Sequence, residues 1–215
     1  MMTTVTLYQL FKKMLAGMGP QGWWPADTKS EIIVGAILVQ NTNWNNVKKS
    51  LANVETSTGF QPDLIARLDM NDLMALIQPS GFHKNKSKAI LEVFQWLGVH
   101  DFDFNQIKQH HGENLRRELL KLHGIGEETA DVLLLYVFDE PVFVADKYAQ
   151  KLFTALGLAG LTNYRKLKKR IHQFDEFSLT EAQEFHGLID EFGKLYLRKA
   201  DYFNESFLAG YTIKL

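Results

Sequence analysis

Apolar residues recur at helical spacing along almost the whole chain, and this pattern constrains the fold more than any other feature. The spacing of three to four residues is visible in segments 32–38, 89–97 and 115–122, and it is typical of helices that pack against a core. Residues 141–145, Pro-Val-Phe-Val-Ala, are strand-like, but no second strand is evident to pair with them, so we expect an extended connection. Helical segments without recurrent strands predict an all-α protein.

The composition excludes several classes of function. The 215 residues carry 24 Lys+Arg and 25 Asp+Glu, a net charge of -1, which argues against a uniformly basic DNA-coating protein but not against a local basic face. The chain has no cysteine, which excludes disulfides, cysteine nucleophiles and thiolate-bound metal. No segment has the ~20 apolar residues of a membrane helix, and the N-terminus lacks signal-peptide features. We therefore expect a cytoplasmic protein with no membrane partner.

The most informative stretch is residues 119–137, LLKLHGIGEETADVLLLYV. Gly124 and Gly126 flank Ile125, which makes a tight turn without side-chain obstruction and lets Ile125 plug the groove between two helices. Backbone N–H groups at the start of the second helix then point outward, an arrangement that suits one phosphate oxygen without sequence preference. The alternative is a simple αα-hairpin whose glycines serve close packing.

This hairpin, LHGIGEETA, and the Val-Ala-Asp at 144–146 together resemble the helix-hairpin-helix DNA glycosylases of the endonuclease III superfamily. The resemblance covers roughly residues 23–202. Within the superfamily the chain is similar to the 3-methyladenine DNA glycosylase III group, and the motifs that carry this likeness are Gly22-Trp23-Trp24-Pro25, GAILVQNT at 35–42, Ser80-Gly81-Phe82 and VADKY at 144–148.

The resemblance implies a bilobal all-α fold with a cleft between two helical lobes. One lobe would span residues 23–136 and the other residues 1–22 plus 137–215. It also implies a monomer that acts on double-stranded damaged DNA.

Three departures from the family pattern bear on the chemistry. The iron–sulfur cluster of many relatives cannot form without cysteine. Glu128 occupies the position at which bifunctional relatives carry a Schiff-base lysine, and His123 replaces the usual hairpin proline. We therefore expect a monofunctional hydrolase with no metal ligands and no required cofactor, although a structural cation at the hairpin backbone would be compatible with the motif.

Asp146 matches the catalytic aspartate of the family. Breaking the C1′–N bond gives the sugar oxocarbenium character, which a nearby carboxylate stabilises while it orients or deprotonates water. The alternative role is a helix N-cap, because Asp146 precedes the apolar-periodic segment 148–156. The two roles are compatible.

Glu128 is the second acidic candidate. A carboxylate cannot form a Schiff base with an abasic sugar, but at this position it would border the base pocket and could bind the base edge or water. The alternative is a solvent-facing residue that the helix dipole favours.

Trp23, Trp24 and Trp44 are candidates for stacking on a cationic alkylated base. Two consecutive tryptophans in a loop are unusual for core packing, because a helix or strand would turn one of them away. The alternative is that Trp23 or Trp24 is buried core.

The resemblance assigns the remaining DNA contacts. Gln40 and Phe82 match the two loops that fill the gap left by an extruded base. The alternatives are that Phe82 is core and that Gln40 is a helix C-terminal residue. Lys84, Lys86 and Lys88 would meet phosphates, and Lys147 would do so or lie on the surface.

The expected function is hydrolytic removal of an alkylated purine, such as 3-methyladenine, after base flipping. Two alternatives remain open at this point. One is a glycosylase for oxidised or mismatched bases. The other is a non-catalytic helix-hairpin-helix DNA-binding protein, against which the presence of Asp146 argues.

Overall fold

The computed structural model describes residues 2–172, 174–199 and 201–215, which are mostly helical, and it confirms the predicted all-α class. The α-helices are α1 (Leu7–Met18), α2 (Lys29–Leu38), α3 (Trp44–Thr58), α4 (Pro62–Ala66), α5 (Met70–Leu76), α6 (His83–Gly98), α7 (Phe104–His111), α8 (Leu115–Leu119), α9 (Glu127–Tyr136), α10 (Lys147–Ala155), α11 (Tyr164–Lys168) and α12 (Leu179–Tyr196). Short 3-10 helices lie at Gln78–Ser80, Gly112–Asn114 and Tyr202–Glu205. Residues 141–145 form the expected extended connection.

Two short strands, β1 (Thr3–Val5) and β2 (Tyr211–Ile213), were not predicted. They pair in parallel with Thr3 opposite Tyr211 and join the two ends of the described chain. Among the described residues, every helix is too short or too polar to cross a bilayer.

The chain divides into two compact units, the first made of Met1–Pro25 with Asp139–Leu215 and the second of Ala26–Phe138. In the second unit α2 is central and packs against α3, α6 and α9. Residues 32–38 of α2 are all buried, as expected for a helix that is apolar on every side. Helix α9 is buried from Thr129 to Tyr136, so the second helix of the hairpin is part of this core.

In the first unit α12 packs against α1 and α10. Its core is rich in aromatic rings, and the Phe177 and Phe185 rings stack with centroids 5.5 Å apart. Asp146 therefore begins a helix, α10, that rests directly on this core.

His186 of α12 lies in the interior of the first unit, beside Trp23, with ring centroids 5.9 Å apart. Burial, with a smaller contribution from the Lys194 cation, lowers the pKa of the His186 imidazole to about 4. The unfolded chain takes up this proton near a pH of about 6.5. Stability that is present above this pH is therefore lost as the pH falls from about 6.5 towards 4.

We expect the free energy of unfolding to fall by about 2 kcal/mol between about pH 7.5 and about pH 5 because of His186. Urea denaturation at both pH values, on the wild type and on His186→Gln, measures this contribution. The glutamine side chain has no proton to take up in this range, so its unfolding energy should depend less on pH. The same pH dependence in both proteins would contradict the assignment.

Candidate functional site

The hairpin consists of α8, the turn through Gly126, and α9. Gly124 has a φ of 73°, and a Cβ at this position would lie 2.9 Å from the Cβ of Ala89 on α6. Both the backbone conformation and the contact therefore require glycine. Ile125 is buried, which confirms its predicted place inside the hairpin. Gly126 is the N-cap of α9 and is exposed, so the helix begins without a side-chain cap hydrogen bond.

A part-buried ion pair joins the two helices of the hairpin. Arg116 of α8 donates from Nε to Oδ1 of Asp131 at 2.6 Å and from Nη2 to Oδ2 at 3.2 Å. Asp131 is fully buried in α9, and a bidentate pair of this kind fixes geometry as well as charge. This pair was not predicted from the sequence: Asp131 lies within residues 119–137, but Arg116 precedes that stretch.

Gln40 follows α2 and is hydrogen-bonded to the hairpin. Its Nε2 donates to the carbonyl oxygen of Gly124 at 3.2 Å and to Oγ1 of Thr129 at 3.0 Å. Helix α2 ends at Leu38 with Val39 as its C-cap, so Gln40 lies in the loop rather than in the helix. This loop is therefore anchored to the hairpin turn.

Phe82 is 67% exposed and adopts a left-handed conformation with a φ of 46°. The alternative that it belongs to the core is therefore wrong. Phe82 and Gln40 line one recess of about 140 Å³, together with Asn41, Asn85, Lys86, Ala89 and Gly124. The structure thus brings both loop residues together with the hairpin glycine; that Gln40 and Phe82 fill the gap left by an extruded base stays a prediction.

The lysines predicted to meet phosphates differ in their exposure to solvent. Lys84 is exposed on the first turn of α6. Lys86 is only 4% exposed, and its ammonium donates to the carbonyl oxygens of Leu38 at 2.9 Å and Ser80 at 2.7 Å. Burial also lowers the pKa of Lys86. The prediction that Lys86 contacts a phosphate is wrong, because its charged group faces the protein interior.

Asp146 is the N-cap of α10, and its Oδ1 accepts a hydrogen bond from the Ala149 N–H at 2.7 Å. The residue is half-buried, and the adjoining Lys147 is exposed. The preceding extended segment is held by Lys168, whose Nζ donates to the Phe143 carbonyl at 2.6 Å. The capping role of Asp146 is confirmed, and the bond to Ala149 fixes the orientation of its carboxylate.

Glu128 lies in the first turn of α9 and is exposed. Desolvation by the surrounding protein nevertheless raises the pKa of its carboxyl. A carboxyl in such a position retains its proton to a higher pH and can donate a hydrogen bond.

The tryptophans have different environments. The Trp23 and Trp24 rings meet edge to face with centroids 5.2 Å apart. Trp23 also packs against Gly187, where a Cβ would lie 2.5 Å from its ring, and the Lys194 ammonium lies 5.2 Å from its ring centroid. Trp44 is the first residue of α3 and is half-buried. Trp23 is thus integrated into the packing of the first unit.

No group of three or more His, Asp or Glu side chains within the described ranges is arranged to hold a metal ion.

The chain belongs to the HhH-GPD superfamily of base excision DNA repair proteins, whose family model matches residues 34–175. A candidate DNA repair glycosylase of Methanocaldococcus jannaschii is 34% identical over 196 residues, which is 90% of this chain and 89% of that protein. Endonuclease III of Sulfolobus acidocaldarius is 26% identical over 164 residues, 75% of this chain and 71% of that one.

Solved structures of DNA glycosylases superpose on this chain. The H. pylori 3-methyladenine DNA glycosylase bound to 1,N6-ethenoadenine superposes with a TM-score of 0.71 at 29% identity, covering 88% of this chain and 98% of that chain. An endonuclease III–DNA complex superposes with a TM-score of 0.70 at 17% identity, covering 90% and 87%, and shows the shared fold. The resemblance to helix-hairpin-helix glycosylases and to the 3-methyladenine group is confirmed.

Proposed function

We propose that this protein is a monofunctional DNA glycosylase that removes alkylated purines, such as 3-methyladenine, from double-stranded DNA. It would act as a monomer and require no metal or other cofactor. The observation that carries the proposal is the pair of acidic residues: Asp146 at the entrance to α10, and Glu128 in place of a lysine in the first turn of α9. The likeness to the H. pylori 3-methyladenine glycosylase supports the substrate class.

Asp146 would act on the sugar. As the C1′–N bond breaks, positive charge develops on the sugar ring, and a fixed carboxylate opposes that charge. The bond from the Ala149 N–H holds one carboxylate oxygen in place. The carboxylate would also orient the water that attacks C1′.

Base recognition would rest on aromatic and carboxyl groups. An alkylated purine such as 3-methyladenine is cationic and already a good leaving group, so it needs little acid assistance. Trp24 and Trp44 would stack on the electron-poor ring. Glu128, whose pKa is raised by desolvation, would bind the base edge or a water molecule.

The duplex would be held by contacts to its backbone and by residues that enter it. The exposed N-terminus of α9 at Gly126 would bind a phosphate, and Lys84 and Lys147 would add charge contacts. Phe82 and Gln40, which line the same recess, would occupy the gap left by the extruded base.

Incubation with matched duplexes tests the proposal. One duplex carries methylated purines, a second oxidised pyrimidines and a third a mismatch, and the released bases are identified by mass. We expect free alkylated purine from the first duplex. Release from the second or third alone would favour the oxidised-base or mismatch alternative, and tight binding without release would favour a non-catalytic DNA-binding protein.

Trp24→Ala or Trp44→Ala should weaken selection for a cationic base more than general duplex binding. Base–aromatic stacking is worth about 1–3 kcal/mol, so affinity for damaged DNA relative to undamaged DNA should fall roughly 5- to 150-fold. Fluorescence anisotropy with both duplexes measures this ratio. Trp23→Ala is the contrasting variant and should mainly lower stability, because Trp23 packs against Gly187 and His186. Equal losses on both duplexes for Trp24→Ala and Trp44→Ala would contradict a base-stacking role.

The protein should release a base without cutting the strand. A lysine nucleophile must reach C1′ and be partly deprotonated, and the position in question holds Glu128. Strands should therefore break only after alkaline treatment, and borohydride should trap no protein–DNA adduct. An adduct with matching enzymatic nicking would overturn monofunctional hydrolysis, and mapping it to Lys147 would identify the nucleophile.

A further inference from the structure

The ammonium of Lys86 lies inside the protein and is bound to backbone carbonyls at the ends of two helices, each of which leads into a loop. One carbonyl belongs to Leu38, the last residue of α2 and two residues before Gln40. The other belongs to Ser80, the last residue of a 3-10 helix and two residues before Phe82. A buried ammonium is costly unless it is hydrogen-bonded, so its position specifies where both carbonyls must lie.

The tips of the two loops that Lys86 joins border the same recess. Gln40 and Phe82 line the same recess as Lys86 itself. The Lys86 ammonium also lies 6.0 Å from the centroid of the Phe82 ring, within the range of a cation–π attraction. The Lys86 side chain therefore contacts the backbone where each loop begins. Its ammonium also lies close to the Phe82 ring at the tip of the second loop.

Helix α6 extends this arrangement to the hairpin. Ala89 meets Gly124 closely, and Oε1 of Glu92 accepts a hydrogen bond from the His123 N–H at 2.9 Å. Residues 86, 89 and 92 are three apart and share one face of the helix. That face sets the spacing of both loops and the hairpin turn.

We propose that Lys86 is a positioning residue that holds the Gln40 and Phe82 loops at a fixed separation, so that both side chains enter the duplex together when a base is extruded. The inference rests on the proposed function of these loops. Without the ammonium, each loop would have to be ordered separately at the moment of extrusion. The free energy needed to order the loops would then slow base extrusion, whereas the chemical step of bond cleavage would be unchanged.

The test compares Lys86→Met with Lys88→Met. Methionine keeps the apolar stem and removes the charge in both cases, but Lys88 is exposed on the same helix. Single-turnover base release is measured on two duplexes, one with the lesion fully paired and one with the same lesion opposite an abasic site, where extrusion costs least.

Lys86→Met should slow release roughly 10- to 100-fold on the paired duplex, the size expected for lost charge-assisted hydrogen bonds. On the unpaired duplex the effect should shrink to within about threefold. Lys88→Met should change the rate of base release by the same factor on both duplexes, because it removes only an exposed charge. An equal loss on both duplexes for Lys86→Met would overturn the proposal.

Hydrogen exchange tests the contact without any activity. The Thr42 N–H is bonded to the Val39 carbonyl and the Gly81 N–H to the Gln78 carbonyl, so one protected amide reports on each loop. Both should exchange faster in Lys86→Met and neither in Lys88→Met, while α9 amides stay protected. Unchanged exchange at both amides would overturn the proposal. No base release by the wild type from either duplex would instead contradict the proposed function, and exchange would still decide the role of Lys86.

Chemical restoration guards against a variant that folds poorly. Since the chain has no cysteine, Lys86→Cys places a unique thiol, which 2-bromoethylamine converts to a lysine analogue in the unfolded protein before refolding. Wild-type protein taken through the same steps is the reference. The restored ammonium should return the paired-to-unpaired rate ratio to the wild-type value, and failure to return it would count against the proposal.

Discussion

Asp146→Asn is expected to lower the single-turnover rate of base release roughly 10²- to 10³-fold, the usual loss on removing a preorganised group that opposes transition-state charge. Affinity for damaged DNA should stay similar or rise, because the substitution also removes a negative charge near the phosphates. The fold should be retained, since asparagine caps a helix about as well as aspartate and can still accept the bond from the Ala149 N–H.

The capping role calls for a second variant. Asp146→Ser also preserves a helix cap but carries neither a carboxylate nor an amide. Both variants should unfold at nearly the same urea concentration as the wild type and both should be slow. Release by Asp146→Asn within a few-fold of the wild-type rate would reject the catalytic assignment, and slow release that follows a loss of stability would assign the residue to the cap alone.

The elements that the sequence predicted are those whose signal is local. The hairpin was predictable because two glycines, a buried isoleucine and an apolar helix follow one another within residues 119–137. The parallel pairing of β1 with β2 was not, because each strand has three residues and its partner lies at the other end of the described chain. Such a pairing depends on packing that brings distant segments together, which no local period reports.

Lys86 shows how a charge run can mislead. Because its neighbours in HKNKSK, residues 83–88, are basic, Lys86 was predicted to contact a phosphate, yet it lies three residues before Ala89 and seven before Val93, on the apolar face of α6. Lys84 and Lys88 are both exposed. The helical period could therefore have identified Lys86 as buried, but not its carbonyl partners, because Leu38 is 48 residues away.

Gly124→Ala should destabilise the protein by about 2–4 kcal/mol, since it combines an unfavourable backbone conformation with overpacking. Gly124 has a positive φ, and its added methyl would lie 2.9 Å from the Cβ of Ala89. That atom is fixed on the backbone of α6 and cannot swing aside, so the hairpin turn must move. Gly126→Ala is the matched control, because Gly126 has a φ of -86° and open space around the site of its missing Cβ.

Urea denaturation of the two variants compares their free energies of unfolding. Because each variant adds one methyl group to the same turn, a difference between them reports the backbone conformation and packing at Gly124. Gly126→Ala should stay within about 1 kcal/mol of the wild type. In Gly124→Ala the displaced turn should also weaken the bond from Gln40 Nε2 to the Gly124 carbonyl, so affinity for undamaged duplex should fall along with stability. Equal stability of the two variants would mean that the turn accommodates a side chain at either glycine. The requirement for glycine at 124 would then have to come from contact with DNA rather than from the packing of α6 against the hairpin.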